Sequence, residues 1–128
     1  MAKKILIIDD DPDLVEAVSM LLEAEGMEPV AAYGGVEGLE KAKTANPDLI
    51  VLDIMMPDKD GYAVAKELAA DDGLNAIPVI MLTAVTNFVG STSYSHDSGK
   101  SLEADDFFAK PVDPEALVAR IVTLMGGR

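Results

Sequence analysis

The stretch that decides the fold is Leu49-Ile50-Val51-Leu52-Asp53, an apolar run that ends in an acid. A carboxylate at the end of a buried strand is costly unless a cation or some other chemistry uses it. A second run of the same kind, Ile5-Leu6-Ile7-Ile8, leads directly into Asp9-Asp10-Asp11. Two such strands side by side would aim several carboxylates into one small volume, and that arrangement is typical of a divalent-metal site.

Apolar runs of strand length alternate with helical patterns along the chain. The runs predict strands at residues 5–8, 29–33, 49–52, 79–82 and 106–109. Apolar residues at helical spacing predict a first helix from Asp11-Pro12 to Gly26, helices at 35–45 and 61–70, and a last helix from Asp113-Pro114 to Gly126-Gly127. Strands that are apolar on both faces and alternate with helices indicate a parallel sheet that is covered on both sides. We therefore predict an α/β domain with a doubly wound five-stranded parallel sheet.

The composition is that of an acidic single domain. The chain has 128 residues, of which 49% are hydrophobic, and this is enough for one proper core. Asp and Glu outnumber Lys and Arg by 23 to 10, and the net charge of -13 argues against binding to nucleic acid or to an anionic membrane surface. The absence of cysteine excludes disulfides and thiol chemistry. The apolar run after Met1 is too short for a signal peptide or a membrane span, so we expect a cytoplasmic protein.

Five candidate site residues lie at predicted strand ends, namely Asp9, Asp10, Asp53, Thr83 and Lys110. Ligands of a doubly wound sheet bind at the carboxyl ends of the strands, so one crevice should contain all five. Oxygen ligands favour Mg²⁺ or Mn²⁺ over zinc, and phosphoryl chemistry is the natural use of such a site. In that chemistry a carboxylate can serve as the nucleophile while a lysine balances charge, and these are the roles expected of Asp53 and Lys110.

Each residue also has a simpler interpretation when it is taken alone. Residues 9–11 could be a solvated turn with a helix cap, and Asp53 could be a structural acid held by backbone amides. Thr83 could be an ordinary loop threonine, and Lys110 a surface lysine. The combination of two buried strand-end acid sites is what points to a cation.

Four segments closely resemble the receiver domain of bacterial two-component response regulators, which has a chemotaxis-regulator-like fold. They are residues 5–12, residues 53–57 with Asp60-Gly61, residues 81–84 and residues 104–111. The resemblance covers nearly the whole chain and implies one receiver domain over residues 1–128 with the strand order 2-1-3-4-5. Residues 86–101 depart from the family because they are rich in Ser, Thr and Gly and lack helical periodicity. We expect the family's fourth helix region to be atypical or disordered here.

The resemblance also implies the metal ligands and the phosphoryl acceptor. In the family, a sensor histidine kinase or a histidine phosphotransfer protein supplies the phosphoryl group, and here Asp53 would accept it. Mg²⁺, with Mn²⁺ as an alternative, would be held directly by Asp10, Asp53 and the backbone carbonyl of Met55. Asp9 would bind the cation largely through water.

The remaining family positions imply a switch. Thr83 would hydrogen-bond one phosphoryl oxygen and Lys110 would pair with another, while Phe107 matches the aromatic switch position. The Lys110-Pro111 peptide is typically cis in the family. The positions that tune phosphoryl lifetime are Met55 and Val85, both apolar, so the resemblance implies slow dephosphorylation.

We therefore expect a stand-alone phosphoacceptor signalling domain that catalyses its own phosphorylation and changes the binding of a downstream protein partner of unknown identity. It would not be a turnover enzyme. One alternative is a pseudo-receiver that acts as an interaction module without phosphorylation. Another is a Mg²⁺-dependent phosphohydrolase that uses an aspartyl phosphate, although Met55 stands where such enzymes carry their acid-base carboxylate.

Overall fold

The computed structural model describes residues 2–84 and 106–126, and these ranges contain five strands and four helices. The strands are β1 (Lys4–Ile8), β2 (Glu28–Ala32), β3 (Leu49–Asp53), β4 (Val79–Ala84) and β5 (Asp106–Lys110). The helices are α1 (Pro12–Ala24), α2 (Gly35–Ala45), α3 (Gly61–Ala70) and α4 (Pro114–Leu124). Every predicted strand and helix is present, with bounds within one or two residues of those expected. The expectation for residues 86–101 lies outside the described residues.

The five strands form one parallel sheet in the order β2-β1-β3-β4-β5. This confirms the predicted sheet and its strand order. The register pairs Asp53 with Leu82 and Ile8 with Leu52, so the carboxyl ends of the central strands lie along one edge. The residues that follow these ends in sequence therefore lie close together, as the prediction of one crevice requires.

Two apolar cores lie on opposite faces of the sheet. Leu6 and Ile8 pack on the face covered by α2 and α3, whereas Ile5 and Ile7 pack on the face covered by α1 and α4. All four side chains are fully buried, as are Leu49 to Leu52 in β3. Burying one such side chain stabilises the fold by about 1.5–3 kcal/mol relative to leaving it in water. These strands are apolar at every position because both of their faces are covered.

Acidic side chains cap three of the four helices at their N-termini. Asp11 accepts hydrogen bonds from the amides at the start of α1, where Pro12 is the first helical residue. Asp60 and Asp113 do the same for α3 and α4. Removing such a cap typically costs about 1 kcal/mol. The exception is α2, whose N-cap is Gly34 and which has no cap from its own flanking side chain.

None of the helices within residues 2–84 and 106–126 combines the length and the apolar character that crossing a membrane requires.

Candidate functional site

The predicted crevice forms at the carboxyl edge of the sheet. Asp9 directly follows β1, Asp53 is the last residue of β3, and Lys110 is the last residue of β5. Thr83 lies near the end of β4, one residue beyond the position that pairs with Asp53. The acids after β1 and at the end of β3 therefore meet Lys110 of β5, as the sequence predicted, and Thr83 of β4 lies at the same edge of the sheet.

Three carboxylates form the floor of the crevice. Asp9, Asp10 and Asp53 each offer one oxygen, and these oxygens lie within 4.8 Å of one another. Asp9 is 0% exposed and Asp53 is 1% exposed, whereas Asp10 faces solvent. The cluster is therefore buried at its base and open at one side.

Each buried acid is held on one of its two oxygens by a backbone amide that follows it in sequence. The amide of Asp11 donates to Oδ1 of Asp9 at 2.9 Å, and the amide of Met55 donates to Oδ1 of Asp53 at 3.2 Å. These bonds fix the two carboxylates and leave Oδ2 of each directed toward other partners. A structural acid satisfied by amides alone would not need those partners.

Lys110 pairs with both buried acids. Its Nζ lies 3.1 Å from Oδ2 of Asp9 and 3.4 Å from Oδ2 of Asp53. Burial by itself lowers the pKa of Lys110, but the charges of Asp9 and Asp53 outweigh burial, and the net effect raises the pKa. The lysine is therefore charged, and it pairs with two of the three carboxylates in the cluster.

The negative charge of Asp53 is only partly compensated by its neighbours. Burial raises the pKa of Asp53, the nearby charge of Asp9 raises it further, and Lys110 with the Met55 amide lowers it in part. The net result raises the pKa of Asp53 to about 6. A second cation in the crevice would relieve both the desolvation and the repulsion.

The donor set fits a hard divalent cation. The available ligands are carboxylate oxygens, and no histidine or cysteine of the described residues joins the cluster. Oxygen ligands with an open side suit Mg²⁺, which keeps several waters and binds phosphate oxygens. Met55, whose carbonyl was the fourth predicted ligand, belongs to the same turn, since its amide donates to Asp53.

Thr83 is buried at the same edge of the sheet, one residue after the partner of Asp53 in β4. It is 6% exposed, and its Oγ1 has no hydrogen-bond partner among the described residues. A buried hydroxyl normally has a hydrogen-bond partner, so one without a partner at a candidate site is available to bind a ligand. Thr83 also lies within β4, so its interpretation as an ordinary loop threonine is wrong.

Phe107 and Phe108 lie on opposite faces of β5. Phe107 pairs with Met81 of β4 and packs, half-buried, against the core beneath α2 and α3. Phe108 packs against the other core. The Lys110-Pro111 peptide is cis, as expected. The role of Phe107 as a switch stays a prediction.

Gly61, which the sequence showed only as part of a family-like segment, lies directly against the end of β3. Its amide donates to the carbonyl of Ile54 at 2.8 Å. A Cβ at this position would clash with the carbonyl oxygen of Asp53 and lie 2.6 Å from Cα of Ile54. The absence of a side chain therefore allows the first turn of α3 to pack directly on the end of β3.

A family model described as the response regulator receiver domain matches residues 5–122. The chain therefore belongs to the family of response regulator receiver domains, the receiver modules of two-component systems. This confirms the resemblance drawn from its strand-end motifs.

Proteins similar to this chain include a DNA-binding regulator and a transcriptional regulatory protein. Over 95% of this chain, it is 41% identical to the DNA-binding dual master transcriptional regulator RpaA of Synechocystis, of which it covers 48%. It is 38% identical to the alkaline phosphatase synthesis transcriptional regulatory protein PhoP of Bacillus subtilis, over 98% of this chain and 49% of that protein. The chain thus spans about half the length of these curated relatives.

Solved structures of receiver domains share the fold over nearly their whole length. The receiver domain of the Francisella response regulator 1452 is 33% identical, with a TM-score of 0.81 and 95% of each chain covered. The chemotaxis protein CheY4 of Vibrio cholerae is 29% identical, with a TM-score of 0.83 and coverage of 96% of this chain and 98% of that one.

Proposed function

We propose that this receiver domain accepts a phosphoryl group on Asp53 and thereby switches its affinity for a partner protein in two-component signal transduction. The observation that carries the proposal is the state of Asp53, a buried carboxylate with a raised pKa in a cluster of three acids, two of which pair with Lys110. Such a site is costly to the empty protein and gains from binding a cation and a phosphoryl group.

The reaction would begin with attack by Oδ2 of Asp53 on the phosphorus of a phosphohistidine. An oxygen–phosphorus bond forms, the phosphorus–nitrogen bond breaks, and the imidazole nitrogen leaves with the electron pair and takes up a proton. Oδ1 stays engaged by the Met55 amide, which orients the carboxylate for attack. The product is an aspartyl phosphate.

Lys110 would balance charge during transfer. Its Nζ already lies within 3.4 Å of Oδ2 of Asp53, so a phosphoryl group on that oxygen would come within reach of the ammonium. Asp9 keeps the lysine in place from the other side, at 3.1 Å. The same ammonium that offsets the empty acids would therefore offset the phosphorylated site.

Mg²⁺ fits the remaining ligands. Asp10, Asp53 and the Met55 carbonyl would hold it directly, with Asp9 bound largely through water. When bound, the cation would supply positive charge against the transferring phosphoryl oxygens. Mn²⁺ prefers the same oxygen donors and is expected to substitute.

Thr83 would report the phosphoryl group to the rest of the domain. Its unpaired Oγ1 would donate a hydrogen bond to a phosphoryl oxygen, and this draws the end of β4 toward Asp53. Phe107, which pairs with β4 through Met81, would then turn inward. Movement of these two residues would change the surface that a downstream partner recognises.

The expected donor is a sensor histidine kinase or a histidine phosphotransfer protein, in the cytoplasm. We propose that residues 1–128 form a single receiver domain. The names of the relatives RpaA and PhoP describe a DNA-binding and a transcriptional regulator, respectively. For this chain, the proposal covers protein partners and makes no use of direct contact with nucleic acid or with a membrane.

The test is intact-mass spectrometry after incubation with acetyl phosphate, with and without Mg²⁺. The native protein should gain one phosphoryl group in a Mg²⁺-dependent reaction, and Asp53→Asn should gain none. Asp72→Asn is a matched control because Asp72 is exposed at the far end of α3, and it should behave as the native protein does. An unmodified native protein would contradict the proposal and favour a pseudo-receiver. Steady release of phosphate without a lasting adduct would favour a phosphohydrolase.

A further inference from the structure

The N-terminus of α2 is capped by a side chain that is distant in sequence. Gly34 offers no capping side chain. Instead, Oδ1 of Asp58 accepts from the amide of Gly35 at 3.0 Å, and Oδ2 of Asp58 accepts from the amide of Val36 at 3.2 Å. Asp58 belongs to the connection between β3 and α3, so these bonds tie the loop after the acceptor aspartate to a different helix.

Two consecutive glycines make room for this contact. A Cβ at position 34 would lie 2.9 Å from Oδ2 of Asp58, and a Cβ at position 35 would lie 2.8 Å from Cβ of Lys59. The backbone of Gly34 is extended, with φ of -167°, a conformation that any residue adopts. The close approach of the loop therefore explains why glycine suits position 34, and backbone conformation does not.

The same loop is attached at two other points. Gly61 bonds its amide to the carbonyl of Ile54 at 2.8 Å, and this closes the loop onto the end of β3. Lys59 pairs with Glu67 of α3 at 2.5 Å. Exposed ion pairs of this kind contribute little to stability. The two hydrogen bonds that Asp58 accepts from backbone amides therefore hold residues 54–60 in place more strongly than the Lys59–Glu67 pair does.

We infer that Asp58 is a positioning residue of the acceptor site, because it holds residues 54–60 against α2 and thereby fixes the turn that carries the Met55 carbonyl toward the cation. This inference rests on the proposed function, since Met55 is there a metal ligand. The hydrogen bonds from these two backbone amides also lower the pKa of Asp58. The carboxylate is therefore charged at neutral pH and accepts strong hydrogen bonds. Groups that orient the ligands of a metal set its affinity even when they do not touch it.

The experiment compares Asp58→Ala, Asp58→Asn and Asp71→Ala by isothermal titration with Mg²⁺ alone. Asp71 is the matched control because it also accepts a backbone amide, from Gly73 at 2.8 Å, but at the opposite end of α3. Asp58→Ala should weaken Mg²⁺ binding about tenfold, as loss of an orienting group typically does. Asp58→Asn keeps one acceptor oxygen and should fall between, and Asp71→Ala should bind as the native protein does.

Acetyl phosphate provides a second readout. The Mg²⁺ concentration that gives half-maximal phosphorylation should rise with the dissociation constant in Asp58→Ala, while the rate at saturating Mg²⁺ should stay near the native rate. A purely structural cap would lower the melting temperature and leave the Mg²⁺ dissociation constant unchanged, and that result would overturn the inference. If the native protein binds Mg²⁺ but takes up no phosphoryl group, the proposed function fails, and the titration still decides the role of Asp58.

Gly34→Ala covers the case in which Asp58→Ala does not fold. This variant keeps the carboxylate but places a methyl group against it, which should lengthen the hydrogen bonds that Asp58 accepts from the two backbone amides. Mg²⁺ binding should weaken in the same direction but by less, about threefold, because displacement costs less than deletion. Unchanged binding in Gly34→Ala would count against the inference.

Discussion

Asp53 is the last residue of β3 and Asp58 lies in the loop that follows it, and their environments shift their pKa values in opposite directions. Asp53 is buried against Asp9, and its pKa is raised to about 6. Asp58 is exposed and accepts the two amides at the start of α2, which lower its pKa. Asp53 therefore makes the metal-free fold less stable, whereas Asp58 stabilises it. A carboxylate whose pKa is raised by burial and by a neighbouring charge is the one that indicates a functional site.

Removing the compensating charge of the crevice should have the largest effect on this contrast. Lys110→Met leaves Asp9 and Asp53 buried without the cation that the described structure places against them. The free energy of unfolding should fall by about 2–3 kcal/mol, less than for a fully buried pair because Lys110 is partly exposed. Urea unfolding at neutral pH measures the change.

Two comparisons sharpen the interpretation of Lys110→Met. Lys66→Met alters an exposed lysine of α3 and should change stability by less than about 0.5 kcal/mol. Saturating Mg²⁺ should restore part of the loss in Lys110→Met, because the cation replaces the missing charge. Equal stability of the two variants would show that Lys110 does not compensate the acids.

A smaller effect should follow from the raised pKa of Asp53. Because the folded state binds the proton more tightly than the unfolded state, the stabilising effect of this proton is lost as pH rises through the folded pKa of about 6. Without metal, the native protein should lose about 1 kcal/mol relative to Asp53→Asn between about pH 5 and about pH 7. Parallel pH profiles of the two proteins would contradict the raised pKa.

The sequence predicted those features that depend on local pattern and strand ends. The apolar runs located every strand described, the Asp-Pro pairs located the starts of α1 and α4, and the parallel topology then placed Asp9, Asp53 and Lys110 together. These predictions succeed because the carboxyl ends of parallel strands necessarily share an edge.

The contact between Asp58 and α2 could not be predicted in this way. It joins residues 23 positions apart without any periodicity, and it depends on how closely two connections approach at the edge of the sheet. The one signal in the sequence was the Gly34-Gly35 pair, which has several interpretations until a neighbour is known. The pKa of Asp53 likewise depends on burial and on the distance to Asp9, which only the folded arrangement determines.

The contrast between Asp53 and Asp58 is tested most directly by following both carboxyl carbons by NMR through a pH titration, with and without Mg²⁺. Without metal, Asp53 should titrate near pH 6 and Asp58 below the ordinary range of an aspartate. Mg²⁺ should lower the midpoint of Asp53 sharply and leave that of Asp58 almost unchanged, because only Asp53 would be a ligand. An Asp53 that titrates in the ordinary range and does not respond to Mg²⁺ would contradict the account.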